Sequence, residues 1–264
     1  DRRRGPTVIF GRFKRKDDEE RDLDEALDET DDSQDDDVEV TDELDEADDS
    51  EDDLDEWERL DASRDWREDG PFDISEVDLD ADEVERLDFG CVVLTPFEGI
   101  QMQLQVDQRT KKVQSALAMA GPSAIEIALF AAPAQTSMVA EIRDEMIAAT
   151  QKSGGKVSLV EGPFGTEVRR IIPMTDPKGN RVFHVSRTWF AEGPRWLLRG
   201  VVMGEAGQAS GVDGVSELLY EFFSNSVVRR DQQPRVPGDL IPMTLPSSMA
   251  ASVPGSDPDE RPDV

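Results

Sequence analysis

Polar and apolar residues alternate along much of the chain from about residue 87 onward. A period of two is typical of strands that are buried on one side, and short apolar runs between turn residues indicate strands as well. Residues 101–106 show the pattern clearly, with Met102, Leu104 and Val106 on one side. The pattern predicts eight strands, at 87–94, 101–106, 113–119, 124–130, 156–160, 167–174, 181–190 and 196–203.

Two segments have the helical period of 3.6 residues instead. The first begins after Thr136 or Ser137 as N-cap and ends at the Gly154-Gly155 pair, and its apolar residues Val139, Ile142, Met146 and Ala149 share one side. The second is predicted from Asp213 to Val228, and it would bury Val215, Leu218, Leu219, Phe222, Phe223 and Val227. Both have the amphipathic pattern of helices that lie on a sheet.

The turns between the strands decide the fold class. Gly162-Pro163, residues 176–180 and Glu192-Gly193-Pro194 are short turn sequences that join consecutive strands. Strands joined by tight turns pair antiparallel. We therefore predict an α+β domain with a mainly antiparallel sheet and two packed helices.

Charge divides the chain into two parts. Residues 1–16 contain seven basic residues and one acid, residues 17–90 contain 39 acids and five basic residues, and residues 91–264 are nearly neutral. Dense like charge with little apolar surface does not favour folding. We predict a disordered arm over 1–69, a globular domain over 70–231, and a Pro-rich segment over 232–264 that is largely extended or disordered, with 240–245 docked.

A few bulky apolar residues interrupt the acidic arm. Leu54, Trp57 and Leu60 are spaced so that a short helix would place them on one side. An acidic segment of this kind is typical of an element that folds on a partner, which would be a basic protein. The alternative is a spacer that only increases solubility.

The sequence has no motif of a known catalytic site. It has one cysteine, Cys91, and one histidine, His184, so neither an internal disulfide nor a Cys/His zinc site is expected. It contains no Gly-x-Ser-x-Gly, no phosphate-binding glycine loop and no apolar run of about 18–20 residues. We expect a cytoplasmic, non-enzymatic protein without a cofactor or a membrane span, in which Cys91 is buried and inert.

One group of residues indicates anion binding. If residue 190 pairs with residue 195 in a hairpin, one side carries the apolar residues Phe183, Val185, Trp189, Trp196, Leu198 and Val202. The other side carries His184, Ser186, Thr188, Arg195, Leu197 and Arg199, with Arg169 or Arg170 on the neighbouring strand. Guanidinium groups on a shared face attract carboxylate or phosphate. The alternative is an ordinary solvated sheet surface.

Four sequence blocks and the end of the second helix resemble a known family. The blocks are FGRFKRK at 10–16, GPFDISEV at 70–77, VEGPFG at 160–165 and GPRWLLRG at 193–200, and the helix ends at 227–229. In this respect the chain resembles the actinobacterial proteins grouped as domain of unknown function 3710, over most of residues 70–246. The order of elements also looks like the PsbP-type α/β/α sandwich. Proteins of that type mostly bind or chaperone, but function does not follow from the fold alone, and the first resemblance assigns no catalytic residue.

Two functions remain open at this stage. The first is an adaptor whose acidic arm contacts a basic partner protein. The second is a domain that binds an anionic ligand or nucleic acid through Arg169, Arg195, Arg199 and His184, with the arm as a tethered competitor. Because the arm is so acidic, nucleic acid is not an expected partner of the full-length chain.

Overall fold

A computed structural model describes residues 55–231 and 233–246. The helices are α1 (Glu56–Asp61), α2 (Val139–Lys152), α3 (Glu205–Gln208) and α4 (Glu217–Ser224), the last preceded by a 3-10 turn at Gly214–Ser216. The strands are β1 (Phe72–Asp73), β2 (Leu87–Asp88), β3 (Val92–Leu94), β4 (Ile100–Val106), β5 (Val113–Ala120), β6 (Ser123–Ala131), β7 (Lys156–Gly162), β8 (Gly165–Thr175), β9 (Arg181–Gly193), β10 (Trp196–Gly204) and β11 (Val227–Val228).

The seven longer strands form one antiparallel sheet in the order β4-β5-β6-β10-β9-β8-β7. Four short strands form a second sheet in the order β1-β11-β3-β2, in which only β1 and β11 run parallel. The predicted α+β class and the mainly antiparallel sheet are therefore confirmed.

The two amphipathic helices cover opposite sides of the large sheet, which we call the α4 side and the α2 side. On the α4 side, Leu219, Phe222 and Phe223 pack into the main core with Ile125 and Trp189. On the α2 side, a smaller core contains Val139, Phe190 and Leu197, among others. Because alternate residues of each strand face opposite sides, one strand supplies both cores.

The second helix is shorter than its apolar pattern predicts. It ends at Ser224, and Val227 and Val228 form strand β11 between β1 and β3. The prediction of helix through Val228 was therefore wrong at its C-terminal end. Two adjacent valines favour extended backbone, and here both are buried by pairing in the small sheet.

The predicted first strand also divides into two. β2 and β3 pair antiparallel, with Leu87 opposite Leu94, and residues 89–91 form the turn between them. Gly90 has φ +80°, a backbone conformation that glycine adopts without steric cost. The apolar run at 87–94 is thus a small hairpin.

A segment of the Pro-rich C-terminal region contributes to the core. Leu240 bridges to Phe130 and Met243 bridges to Val113, and Ile241 and Met243 are buried. These contacts fill the gap where the ends of β5 and β6 separate. Residues 247–264 lie outside the described part of the chain.

The folded domain begins ahead of the expected boundary at residue 70. Helix α1 starts at Glu56, and Asp55 caps it with a capping box to Glu58. Two side chains of this segment, Asp55 and Asp61, form ion pairs with Arg143 of α2. The boundary therefore moves to residue 55. The predicted arm before it, including Leu54, lies outside the described residues.

Candidate functional site

The β9–β10 hairpin has a different register from the predicted one. Phe190 pairs with Arg199, whereas the sequence analysis paired it with Arg195, a displacement of four residues. The hairpin is longer because Gly193 pairs with Trp196 and only Pro194 and Arg195 form the turn. An even displacement leaves each residue on its expected side of the sheet.

The two sides of the hairpin nevertheless differ from the prediction in burial. Phe183, predicted in the core, is 59% exposed because β9 extends beyond the end of β10 there. Leu197, predicted on a solvated side, is fully buried because α2 covers that part of the sheet. The α2 side is therefore a partly covered surface.

Four polar side chains come together on the α2 side, next to the helix. Arg170 of β8 lies opposite Ser186 of β9, and Thr188 lies two residues further along β9. Arg199 of β10 lies opposite Phe190, so Thr188 is a diagonal neighbour of both arginines. We call Arg170, Ser186, Thr188 and Arg199 the arginine site.

The polar atoms at the base of this site have no partner among the described residues. Ser186 and Thr188 are 0% exposed, and neither hydroxyl group makes a hydrogen bond. The Nε atoms of Arg170 and Arg199 are also buried without an acceptor. Unpartnered buried donors are uncommon in native proteins. The Nε atoms of Arg143 and Arg187 are in the same state, so the signal at this site is that two such arginines adjoin two such hydroxyl groups.

The two arginine side chains are half-buried close to each other. Burial lowers the pKa of Arg199, an effect that the negative charge of Glu126 opposes. Burial also lowers the pKa of Arg170, and the positive charge of Arg199 lowers it further. Within the described ranges, no carboxylate oxygen lies within 4 Å of either group, so an anion placed between them would stabilise both.

Other contacts restrict Arg199 and define the edge of the site. Its guanidinium carbon lies 4.9 Å from the centre of the Phe130 ring, in cation–π geometry. Glu126 accepts a hydrogen bond from Gln105 at 3.1 Å and pairs across the strands with Val201. The charge of Glu126 is therefore held beside the site.

Arg169, one of the predicted site residues, lies on the other side of the sheet. Its Nε donates to Glu167 at 2.7 Å, and its guanidinium also donates to the carbonyl of Ser210. The buried Arg187 lies opposite it and donates to the carbonyls of Ala209 and Gly211. These two arginines have partners, and they hold residues 209–211 against the sheet. Arg170, which the sequence analysis named only as an alternative, takes the place of Arg169.

The remaining two predicted site residues lie near the site but outside its base. Arg195 occupies the hairpin turn with φ +62°, and its exposed side chain donates a 3.4 Å hydrogen bond to the carbonyl of Asp231. His184 is half-buried on the α2 side, opposite Ile172 and two residues from Ser186. It is thus a neighbour of the arginine site.

Two of the three predicted arm anchors, Trp57 and Leu60, lie on the domain itself. Trp57 and Leu60 are half-buried in α1, and their backbone carbonyls accept hydrogen bonds from Thr166 and Trp66. Arg143 was not among the predicted site residues, but it is 1% exposed and pairs with two carboxylates of this segment. An arginine among Val139, Ile142 and Met146, on the apolar side of α2, is a sequence feature that could have indicated a buried and paired charge.

Cys91 is buried, as its apolar neighbours predict. It is 9% exposed, and burial raises the pKa of its thiol to about 12. A thiol of this kind is unreactive at neutral pH. In the described ranges, no three acidic, histidine or cysteine side chains are grouped so as to hold a metal ion.

Comparison with known proteins identifies a family and no individual relative. No curated protein and no solved structure matches the chain. Over the residues that the structure describes, no helix has the length and hydropathy needed to cross a membrane. The model of the family described as "Protein of unknown function (DUF3710)" matches residues 70–252, which cover more than half of the chain and include the arginine site. The chain therefore belongs to this family.

Proposed function

We propose that the folded domain is a non-catalytic binding module that recognises an anionic group at the arginine site. The observation that carries this proposal is the pairing of two desolvated guanidinium groups with two buried hydroxyl groups that lack partners. The donors suit a carboxylate or a phosphate, which both groups recognise through charge-assisted hydrogen bonds.

Partners within the domain account for three other arginines but not for this half-buried pair. Arg187 and Arg169 contact Glu167 and several backbone carbonyls, and Arg143 contacts two aspartates. Arg170 and Arg199 have no such acceptors among the described residues. Partial burial disfavours the charge of both groups, and a ligand that supplies the missing acceptor would offset that cost.

The test uses the single histidine of the chain as a probe. His184 lies on the same side of the sheet as Ser186, so ¹⁵N-labelled histidine gives one imidazole signal beside the site. We expect acetate and inorganic phosphate, titrated separately at low salt, to shift this signal saturably, and the tighter of the two identifies the preferred group.

Two variants and a control make the titration specific. Arg170→Met and Arg199→Met should each weaken binding at least tenfold, because each removes one of the two cations. Arg181→Met, at an exposed position of the same strand as His184, should leave binding unchanged. The proposal is wrong if neither anion shifts the signal. It is also wrong if Arg170→Met and Arg181→Met change the dissociation constant of the anion to the same extent.

A second candidate function is the adaptor role of the acidic arm, in a cytoplasmic protein. The observation that favours it is the composition of residues 17–54, which contain 24 acids and one basic residue. Such a segment would attract a basic partner protein by long-range electrostatics. Co-purification with the full chain and with a chain lacking residues 17–54 tests it, since partners that depend on the arm should be lost on deletion. Recovery of the same partners by both chains would eliminate this role.

The tethered-competitor hypothesis stays a prediction. If the arm competes with external anions, deleting residues 17–54 should lower the dissociation constant for acetate or phosphate at low salt and leave it unchanged at high salt.

A further inference from the structure

A row of residues crosses the sheet from the arginine site toward its far edge. On the α2 side, Arg170 lies opposite Ser186, and Ser186 lies opposite Met203. Met203 in turn lies opposite Ala124, and Ala124 lies opposite Met119. With strands about 4.8 Å apart, this row spans about 19 Å. It begins with a cation and continues with apolar side chains.

The apolar part of this row is only half-buried, and Gln103 of β4 donates a 3.5 Å hydrogen bond to the Met119 sulfur within it. Met119, Met203 and the neighbouring Leu117 are each half-buried, and they belong to neither of the two cores. Helix α2 packs against β7 and β8, at the other end of the sheet. We call Leu117, Met119, Ala124 and Met203 the methionine strip.

The strip and the arginine site together form one amphipathic surface. Methionine side chains are flexible and adapt to apolar groups of different shape. The guanidinium of Arg170 stands at one end of the strip, with the orphan hydroxyl of Ser186 between it and Met203. Charge and apolar surface are therefore arranged in the order of a polar head and an apolar tail.

Resting on the proposed anion-binding function, we propose that the ligand is an amphiphilic anion, a carboxylate or phosphate with an unbranched apolar chain. Its head group binds Arg170 and Arg199, and its chain lies across the strands on Met203 and Met119. A ligand without the chain would leave the methionine strip exposed, and a ligand without the head would leave the guanidinium groups desolvated and unpaired.

Glu126 gives the bound ligand a direction. Glu126 pairs with Val201 of β10 and with Leu117 of the strip, and Gln105 donates a hydrogen bond to its carboxylate. A negative head group placed over Met203 would lie one strand from Glu126. A head group at Arg170 lies two strands further across the sheet, and the cation of Arg199 stands between it and Glu126. Replacing Glu126 by Gln should therefore leave binding of the ligand's apolar chain unchanged. It should also reduce the preference of the head group for Arg170 over the strip.

The experiment compares decanoate, decyl phosphate, decanol and acetate, all below the concentration at which they form micelles, with the full chain. The His184 imidazole signal and titration calorimetry report binding. We expect decanoate or decyl phosphate to bind at least tenfold more tightly than acetate, since each fully buried methylene contributes up to about fourfold. Decanol should bind more weakly than either anion, because it leaves the guanidinium groups unpaired.

Two variants locate the head and the chain. Arg170→Met should reduce decanoate affinity at least tenfold and leave decanol unchanged, and Met203→Gln should remove most of the advantage of decanoate over acetate. The matched control is Val215→Gln, at a 49% exposed position outside the sheet, which should change neither affinity. Circular dichroism of each variant verifies that it folds. If Met203→Gln does not fold, Met119→Gln replaces it as the variant that removes part of the apolar surface.

The outcomes separate this inference from the proposed function. If acetate binds at Arg170 and decanoate binds no more tightly, the site takes a small anion and the amphiphile inference is wrong. If decanol binds as tightly as decanoate and Arg170→Met changes neither, both proposals are wrong. If none of the four compounds binds, both are again overturned.

Discussion

Neutralising the carboxylates around Arg143 should destabilise the domain strongly. Arg143 is 1% exposed, and its guanidinium lies 2.8 Å from Asp55 Oδ2 and 3.5 Å from Asp61 Oδ2. Asparagine at both positions keeps the helix cap at residue 55 and the acceptor for the backbone N–H of Thr166, so the change removes charge and little else.

The structure sets the size of this effect. At an effective dielectric constant of about 20, unit charges about 3 Å apart attract by about 5–6 kcal/mol. The Asp55 side chain is 53% exposed, so water screens a large part of its share, whereas Asp61 is 23% exposed. We therefore expect the double variant Asp55→Asn, Asp61→Asn to lose about 3 kcal/mol of unfolding free energy, near the low end for a broken buried pair.

A rescue variant makes the reasoning testable. Arg143→Met removes the buried charge, so adding it to the double variant should recover most of the loss. Urea unfolding followed by tryptophan fluorescence measures all variants in the same buffer. A double variant within about 0.5 kcal/mol of the parent, or a triple variant no more stable than the double, would refute the idea that Arg143 depends on these carboxylates.

Three further predictions concern single residues. Arg195→Gly should raise the unfolding free energy by about 0.5–1 kcal/mol in urea titrations, because glycine adopts the positive φ of this turn without steric cost; an unchanged or lower value would contradict this. Burial raises the pKa of Glu192, and its Oε1 accepts a hydrogen bond from the backbone N–H of Met138. The protonated form is therefore favoured in the folded state, and the domain loses stability as the pH rises through the folded pKa. Glu192→Gln should therefore gain stability over the parent between pH 4 and 8, and a constant difference over this range would argue against it. Burial favours a raised pKa for Asp73, but hydrogen bonds from Ser75 and Trp196 hold this pKa below its usual value. The parent should then lose unfolding free energy as the pH falls below about 4. The Asp73→Asn variant should lose less over the same range. If the unfolding free energies of both proteins fall in parallel with pH, the effect is excluded.

Local pattern was sufficient for most of the elements. The alternation in residues 101–106 and 196–203 and the helical period from Val139 to Met146 depend only on neighbours in the chain, and the corresponding elements are present. The side of the sheet that each hairpin residue occupies was also correct, since an error of four residues in register preserves the alternation. Pattern was less reliable at the ends, where Val227 joins a strand that depends on distant partners.

Local pattern was not sufficient for the composition of the candidate site. Arg169 and Arg170 are adjacent, and only the pairing of Arg170 with Ser186 decides which of them shares a surface with Arg199. Arg195 and Arg199 have the same alternation, but the position of the turn removes Arg195 from the sheet. Neither pairing nor turn position follows from residue types alone, because several registers satisfy the same alternation.

The sequence by itself determined the α+β class, the separation of an acidic segment from a neutral domain and the presence of arginines on one strand face. These features follow from residue period and composition, which are properties of the chain before it folds. The tertiary structure decided that Arg170 joins Arg199 above two buried hydroxyl groups, and that Asp55 and Asp61 belong to the domain through Arg143. Both depend on contacts between residues far apart in the chain, because the burial that makes an unpaired guanidinium costly arises only when the strands and α2 pack together.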